Sequence, residues 1–191
     1  MSVRILDGAM GTELIARGLT LDGPAWSARA NVEAPDVVSS VHRDYADAGA
    51  TLHTSNTFRT QPRAMGADWE IALRAAVRLA QQAVPDGHTV IGSIAPVEDC
   101  YRPERSPGAA ARDEHRRVAR ALADAGCDLL LCETFSTEPE ARVAVEEALE
   151  TGLPVWLSLT AGPFGTLHSP ASLARLAARL ATTGVARLLV N

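Results

Sequence analysis

Carboxylates and small polar side chains recur in this sequence where short apolar runs end. The run Cys127-Asp128-Leu129-Leu130-Leu131-Cys132 is followed by Glu133-Thr134-Phe135, and Val3–Leu6 is followed by Asp7-Gly8-Ala9-Met10-Gly11-Thr12. Ala50–Ser55 leads into Asn56-Thr57-Phe58-Arg59, and His88-Thr89-Val90-Ile91-Gly92 ends on Ser93. An apolar run without alternation reads as a strand buried on both faces. The C-terminal ends of parallel strands are where α/β folds place their chemistry. Glu133 is therefore a candidate catalytic carboxylate. The glycines after Asp7 predict a tight turn with close backbone approach to a ligand.

Composition removes several classes of function. The eighteen basic residues are all arginine. A Schiff-base mechanism needs a primary side-chain amine, and a Walker-type phosphate loop needs its lysine, so both are excluded. A net charge of −5 gives no electrostatic footprint for nucleic acid. No run approaches the roughly 18 apolar residues of a membrane span. The N-terminus reads as the start of a strand with no signal peptide, so the expected location is cytoplasmic. The three cysteines, Cys100, Cys127 and Cys132, contain no Cys-x-x-Cys pair. Cys127 and Cys132 fall on opposite faces of one strand, and all three read as small core or loop residues with no metal role.

The elements that must position the strand-end residues follow from periodicity and breakers. Strands are expected at Val3–Leu6, Ala50–Ser55, His88–Ser93, Cys127–Cys132, Pro154–Leu159 and Val185–Val190. Helices are expected at Pro35–Ala48, Trp69–Val84, Ala111–Ala125, Pro139–Glu150 and Ser169–Thr182. Strand and helix alternate at a repeat of roughly 35–40 residues, the spacing of βαβ crossovers, with no internal boundary. The long segment 94–103 is expected to be a loop of the kind that serves as a lid.

Lined up at successive strand ends, four motifs resemble the homocysteine S-methyltransferase family: Asp7-Gly8-Ala9-Met10-Gly11-Thr12, Thr54-Ser55-Asn56-Thr57-Phe58, Gly92-Ser93-Ile94-Ala95-Pro96 and Glu133-Thr134. The resemblance runs from Ile5 to Asn191. It implies an α/β fold of the (β/α)₈ TIM-barrel type and transfer of a methyl group from a small donor to the sulfur of homocysteine. By analogy Asp7 and Glu133 hold the substrate ammonium, which suits two charged acceptors. The Gly8–Gly11 amides would receive the substrate carboxylate, as turn amides form anion-binding nests. Asn56, Thr57 and Ser93 line the same pocket, and Arg59 with the 97–103 loop lies toward the donor.

Plainer readings compete with these. Asp7 could cap a helix, and Glu133 could cap one or pair with an arginine. Thr57 and Ser93 could serve only buried backbone groups. His53 is expected to be a hydrogen-bonded interior side chain, and Asp113-Glu114-His115-Arg116-Arg117 a solvated helix face. Trp26 fits either a cavity wall or ordinary packing.

One departure matters chemically. The resemblance implies zinc held by three cysteines, one just after an asparagine at the end of strand six and two in a Gly-Gly-Cys-Cys motif. Position 191 is that asparagine, and Cys100, Cys127 and Cys132 do not occupy the zinc positions. The expectation is an incomplete barrel spanning 1–191 and lacking two βα units. It would be a truncated and inactive methyltransferase, a short homologue that self-associates through exposed strand edges, or a non-catalytic amino-acid-binding module.

Overall fold

The computed structural model describes residues 3–191, so the reading of Met1 and Ser2 as the lead-in to a first strand lies outside the described residues. The chain divides into two compact units, residues 1–93 with 124–128, and residues 94–123 with 129–191.

In the first unit, helix α1 (Met10–Ala16) is followed by a 3₁₀ turn (Trp26–Arg29), α2 (Ala30–Glu33) and α3 (Pro35–Asp47). Strand β1 (Leu52–Thr54), α4 (Pro62–Met65), α5 (Trp69–Ala83) and β2 (Thr89–Ile94), whose last residue falls in the second unit, follow. Helix α3 begins on Pro35, whose fixed φ suits the first helical position, and carries Asp36 in its first turn. Its buried face is Val38, Val41 and His42. Gly49, at φ 100°, then ends it in the left-handed region. Leu14, Ala30, Val38, Val41 and Leu79 form an apolar core, with Met10, Leu19, Leu21, Val37 and Tyr45 packed against it. Strand β1 runs parallel to β2, with His53 opposite Val90 and Thr54 opposite Ile91.

The expected first strand, Val3–Leu6, is reduced to a single parallel bridge between Leu6 and Leu52. The main chain of Ile5 still accepts from Thr51 and Leu52, and the Asp7 N–H donates to Leu52. Val3 and Ile5 are exposed, so little apolar burial fixes the segment.

The second unit carries α6 (Arg112–Asp124), whose last residue falls in the first unit. It also holds β3 (Leu129–Phe135), α7 (Glu138–Leu149), β4 (Val155–Leu159), α8 (Pro170–Leu180) and β5 (Arg187–Val190). Strands β3, β4 and β5 are consecutive and parallel. Every residue of β3 is buried except Glu133, which is half-buried, in keeping with an apolar run lacking alternation. Helix α7 packs on β3 and β4. Strand β5 is mostly exposed, with Leu188 and Val190 open to solvent.

The run 113–117 is not a uniformly solvated face. His115 is buried and lies 3.3 Å from the Glu140 carboxylate, which is also buried. Glu140 further accepts from the Val97 N–H at 2.8 Å and from the Ser106 hydroxyl, so it ties the 97–106 segment to α7. Burial alone would raise the Glu140 pKa, but the bonds from His115, Ser106 and Val97 hold it below the usual carboxylate value.

Candidate active site

At the end of the Leu6 bridge, the Asp7 carboxylate accepts from the Thr54 N–H at 2.9 Å. Asp7 thus joins the first strand-end position to the second. The residue at the N-cap of α1 is Ala9.

The glycines after Asp7 work differently from the turn the sequence suggests. Neither Gly8 nor Gly11 has a positive φ, and Gly11 lies buried inside α1. What both provide is room. A Cβ on Gly8 would lie 2.6 Å from the Tyr45 hydroxyl, and one on Gly11 would enter the Trp26 ring. The expected Gly8–Gly11 turn instead leads into the first turn of α1, and Tyr45 and Trp26 fill the space that a Cβ on either glycine would need. Trp26 itself is partly exposed, has φ 42° and meets Phe58 edge-on.

Asn56 is buried, and its side chain is spent on the fold. Its amide donates to the Ser27 carbonyl and to Asn31 Oδ1, both at 2.8 Å, and its oxygen accepts from Ser27 Oγ at 2.7 Å. Asn31 Nδ2 returns a bond to the Asn56 carbonyl at 3.0 Å. Thr57 Oγ1 donates to the Ser93 carbonyl at 3.0 Å and accepts from the Ser93 N–H at 2.9 Å. Thr57 and Ser93 thus join the ends of β1 and β2, while Asn56 ties the residues after β1 to Ser27 and Asn31. The sequence reading missed Ser27 and Asn31, since polar residues in a loop carry no signal of which strand end they will lock.

Behind Asp7 lie two histidines. His42 and His53 are both fully buried. His53 Nε2 lies 3.1 Å from the Ala50 carbonyl and 3.0 Å from His88 Nδ1, so the hydrogen-bonded interior histidine expected from sequence holds for that nitrogen. Burial, with His53 nearby, lowers the His42 pKa to about 4. Burial, and then His88, lowers that of His53, against a smaller opposing effect from the Ala50 carbonyl.

Glu133 lies in the second unit, at an irregularity where the β3–β4 register shifts between Cys132 and Phe135. The next residue, Thr134, has φ 62°. A β-branched residue in the left-handed region is a genuine outlier, costing on the order of 1–3 kcal/mol. Asn191 Nδ2 donates to Thr134 Oγ1 and Ser158 Oγ donates to Asn191 Oδ1, both at 3.0 Å.

The cysteines do not form a metal-binding set. All three are buried. Burial, with Asp128 adding to it, pushes the Cys127 thiol up to about 12, and burial raises Cys132 as well. Among the described residues, the grouping of His, Cys, Asp and Glu side chains able to hold an ion is Asp7, His42 and His53. The cysteine-held zinc that the family resemblance implies is not matched by Cys100, Cys127 and Cys132.

The family model described as Homocysteine S-methyltransferase matches residues 4–191. The chain belongs to the homocysteine S-methyltransferase family. It is 32% identical over 187 residues to the homocysteine S-methyltransferase of Escherichia coli, an alignment covering 83% of this chain and 58% of that protein. It is 29% identical over 162 residues to S-methylmethionine–homocysteine S-methyltransferase BHMT2 of Rattus norvegicus, covering 85% of this chain and 44% of that protein. The chain therefore spans about half the length of these relatives. The metallated form of the E. coli homocysteine methyltransferase MmuM superposes with a TM-score of 0.84 at 29% identity, over 100% of this chain and 75% of that one. The fold is accordingly α/β of the TIM-barrel type, with five parallel strands among the described residues. No helix among the described residues is long and apolar enough to cross a membrane.

Proposed function

We propose that this chain is the substrate-binding part of a methyltransferase that moves a methyl group from a small donor to the sulfur of homocysteine, forming methionine. The observation that carries the proposal is the family match over residues 4–191. In the reaction, a sulfur lone pair of homocysteine forms the new S–CH₃ bond as the donor's bond to that methyl breaks, and the thiol proton is lost. The name of the rat relative favours S-methylmethionine as donor; its leaving group is neutral methionine.

This chain's residues bind and orient the amino-acid end of the substrate. Asp7 and Glu133 are assigned to the ammonium, Asp7 being oriented by the Thr54 N–H. Gly8 is assigned to the close backbone approach, and Asn56, Thr57 and Ser93 to the wall that keeps the strand ends in place. The domain is read as 1–191 of a longer barrel, working in the cytoplasm. Zinc bound by cysteines is assigned to the whole protein and would supply thiolate at neutral pH, where a free thiol of pKa about 8.5 is mostly protonated. No step here is routed through it.

Calorimetric titration with L-homocysteine, beside a methyl-transfer assay with S-methylmethionine, tests the reading. Saturable homocysteine binding that weakens at least about tenfold in Asp7→Asn and in Glu133→Gln is expected, the loss of one charge-assisted bond. Unchanged affinity in a variant removes that residue from the site. Binding without transfer is expected of a substrate-binding part and equally of the second reading, an amino-acid-binding module; methyl transfer by this chain alone would overturn the assignment of thiol activation to cysteines outside it.

A further inference from the structure

The first unit contains two buried histidines beside Asp7 that substrate binding does not use. His42, on α3, and His53, on β1, are both 0% exposed. Neither ring nitrogen of His42 has a hydrogen-bond partner, and neither does Nδ1 of His53. Buried polar atoms are nearly always paired, and an unmet one costs on the order of 1–3 kcal/mol. Both histidines also lie beside Asp7. One ligand atom from each of Asp7, His42 and His53 lies within 4.8 Å of the others.

The tautomer of His53 follows from its other nitrogen. A carbonyl oxygen only accepts, so Nε2, 3.1 Å from the Ala50 carbonyl, carries the proton. His88 Nδ1, 3.0 Å away, then accepts from the same N–H. Nδ1 of His53 is left with a bare lone pair. A far nitrogen bonded to a backbone carbonyl is the usual support behind a metal-bound imidazole. The Thr54 N–H, 2.9 Å from the Asp7 carboxylate, supports the third donor in the same way.

We propose that Asp7, His42 and His53 form a binding site for a divalent transition ion of the zinc class, through a carboxylate oxygen, one His42 ring nitrogen and Nδ1 of His53. Two neutral imidazoles and a carboxylate carry one negative charge and mix nitrogen with oxygen. That donor set suits zinc, cobalt, nickel or iron, whereas magnesium and calcium take oxygen alone. Zinc bonds of about 2.1 Å put tetrahedral ligand atoms about 3.4 Å apart. The ligand atoms, within 4.8 Å of one another, must draw in to that spacing when the ion binds. A carboxylate has four lone-pair positions, so the ion, the Thr54 N–H and a substrate ammonium can share Asp7. The ion would brace Asp7 from behind, and its ligands include no cysteine.

The 191-residue chain, stripped with chelator, is titrated with Co²⁺ and Zn²⁺. One equivalent is expected, with visible Co²⁺ absorption and no thiolate charge-transfer band in the near ultraviolet. Affinity should fall about tenfold or more in His42→Gln and in His53→Gln. It should be unchanged in Cys127→Ser. A charge-transfer band, no saturable binding, or binding retained in both histidine variants would overturn the site. If either variant loses its fold by circular dichroism, imidazole NMR of the unaltered chain decides: Zn²⁺ should move the His42 and His53 ring signals, and their standing still would sink the proposal. These readouts do not depend on methyl transfer, so the site and the proposed function fail separately.

Discussion

Asn191 Nδ2 donates to Thr134 Oγ1 at 3.0 Å, joining the end of β5 to the left-handed residue that follows Glu133. The bond offsets part of the cost of φ 62° at a β-branched residue and holds the irregular end of β3 on which Glu133 stands. Asn191→Ala loses this bond and the one from Ser158, so unfolding stability should fall by about 1–3 kcal/mol. Thr134→Gly, which relieves the backbone while losing the same anchor, should stay within about 1 kcal/mol of the parent. Urea unfolding measures both. An unchanged midpoint for Asn191→Ala would show that the bond contributes nothing.

Gly11 sets two effects against each other. Alanine in a helix gains about 0.5–1 kcal/mol over glycine. Its methyl group would enter the Trp26 ring, and overpacking typically costs about 1–3 kcal/mol. Gly11→Ala should therefore destabilise and shift tryptophan fluorescence as Trp26 is displaced. A stabilised variant would mean that Trp26 moves aside freely.

Glu140 sets an acid limit on the second unit. Its folded pKa lies below its ordinary value of 4.5, so its contribution is fully present above that value and is lost as pH falls through the folded pKa. Thermal midpoints of Glu140→Gln and the parent should converge as pH falls below about 4. A gap between them that does not narrow would remove Glu140 from the acid transition.

The thiols should be silent in the folded chain. With Cys127 pushed up to about 12 and all three cysteines buried, a disulfide reagent at pH 8 should react slowly with the native protein. All three should react rapidly in denaturant. A fast native phase would show an exposed thiolate that the structure does not have.

Much of the architecture was readable from residues because it is set locally. The end of α3 is announced by Gly49 and its start by Pro35. The burial of β3 on both faces is announced by an apolar run without alternation. Val3–Leu6 has the residue types of a strand, but Val3 and Ile5 remain exposed and little burial holds one there. Gly11 was read as part of a turn because glycine's usual purpose is freedom of φ. Its purpose here is space for Trp26, which a sequence cannot place.

The sequence by itself determined the α/β order, the absence of lysine chemistry and the polar residues that close each strand. Those follow from side-chain type and spacing along the chain. Tertiary structure decided what each of them does. It spent Asn56 on Ser27 and Asn31, tied Thr57 to the Ser93 main chain, buried His115 against Glu140 and gathered His42 and His53 behind Asp7. Hydrogen bonding and burial depend on which atoms arrive within about 3 Å of one another, and that is settled only when distant segments pack.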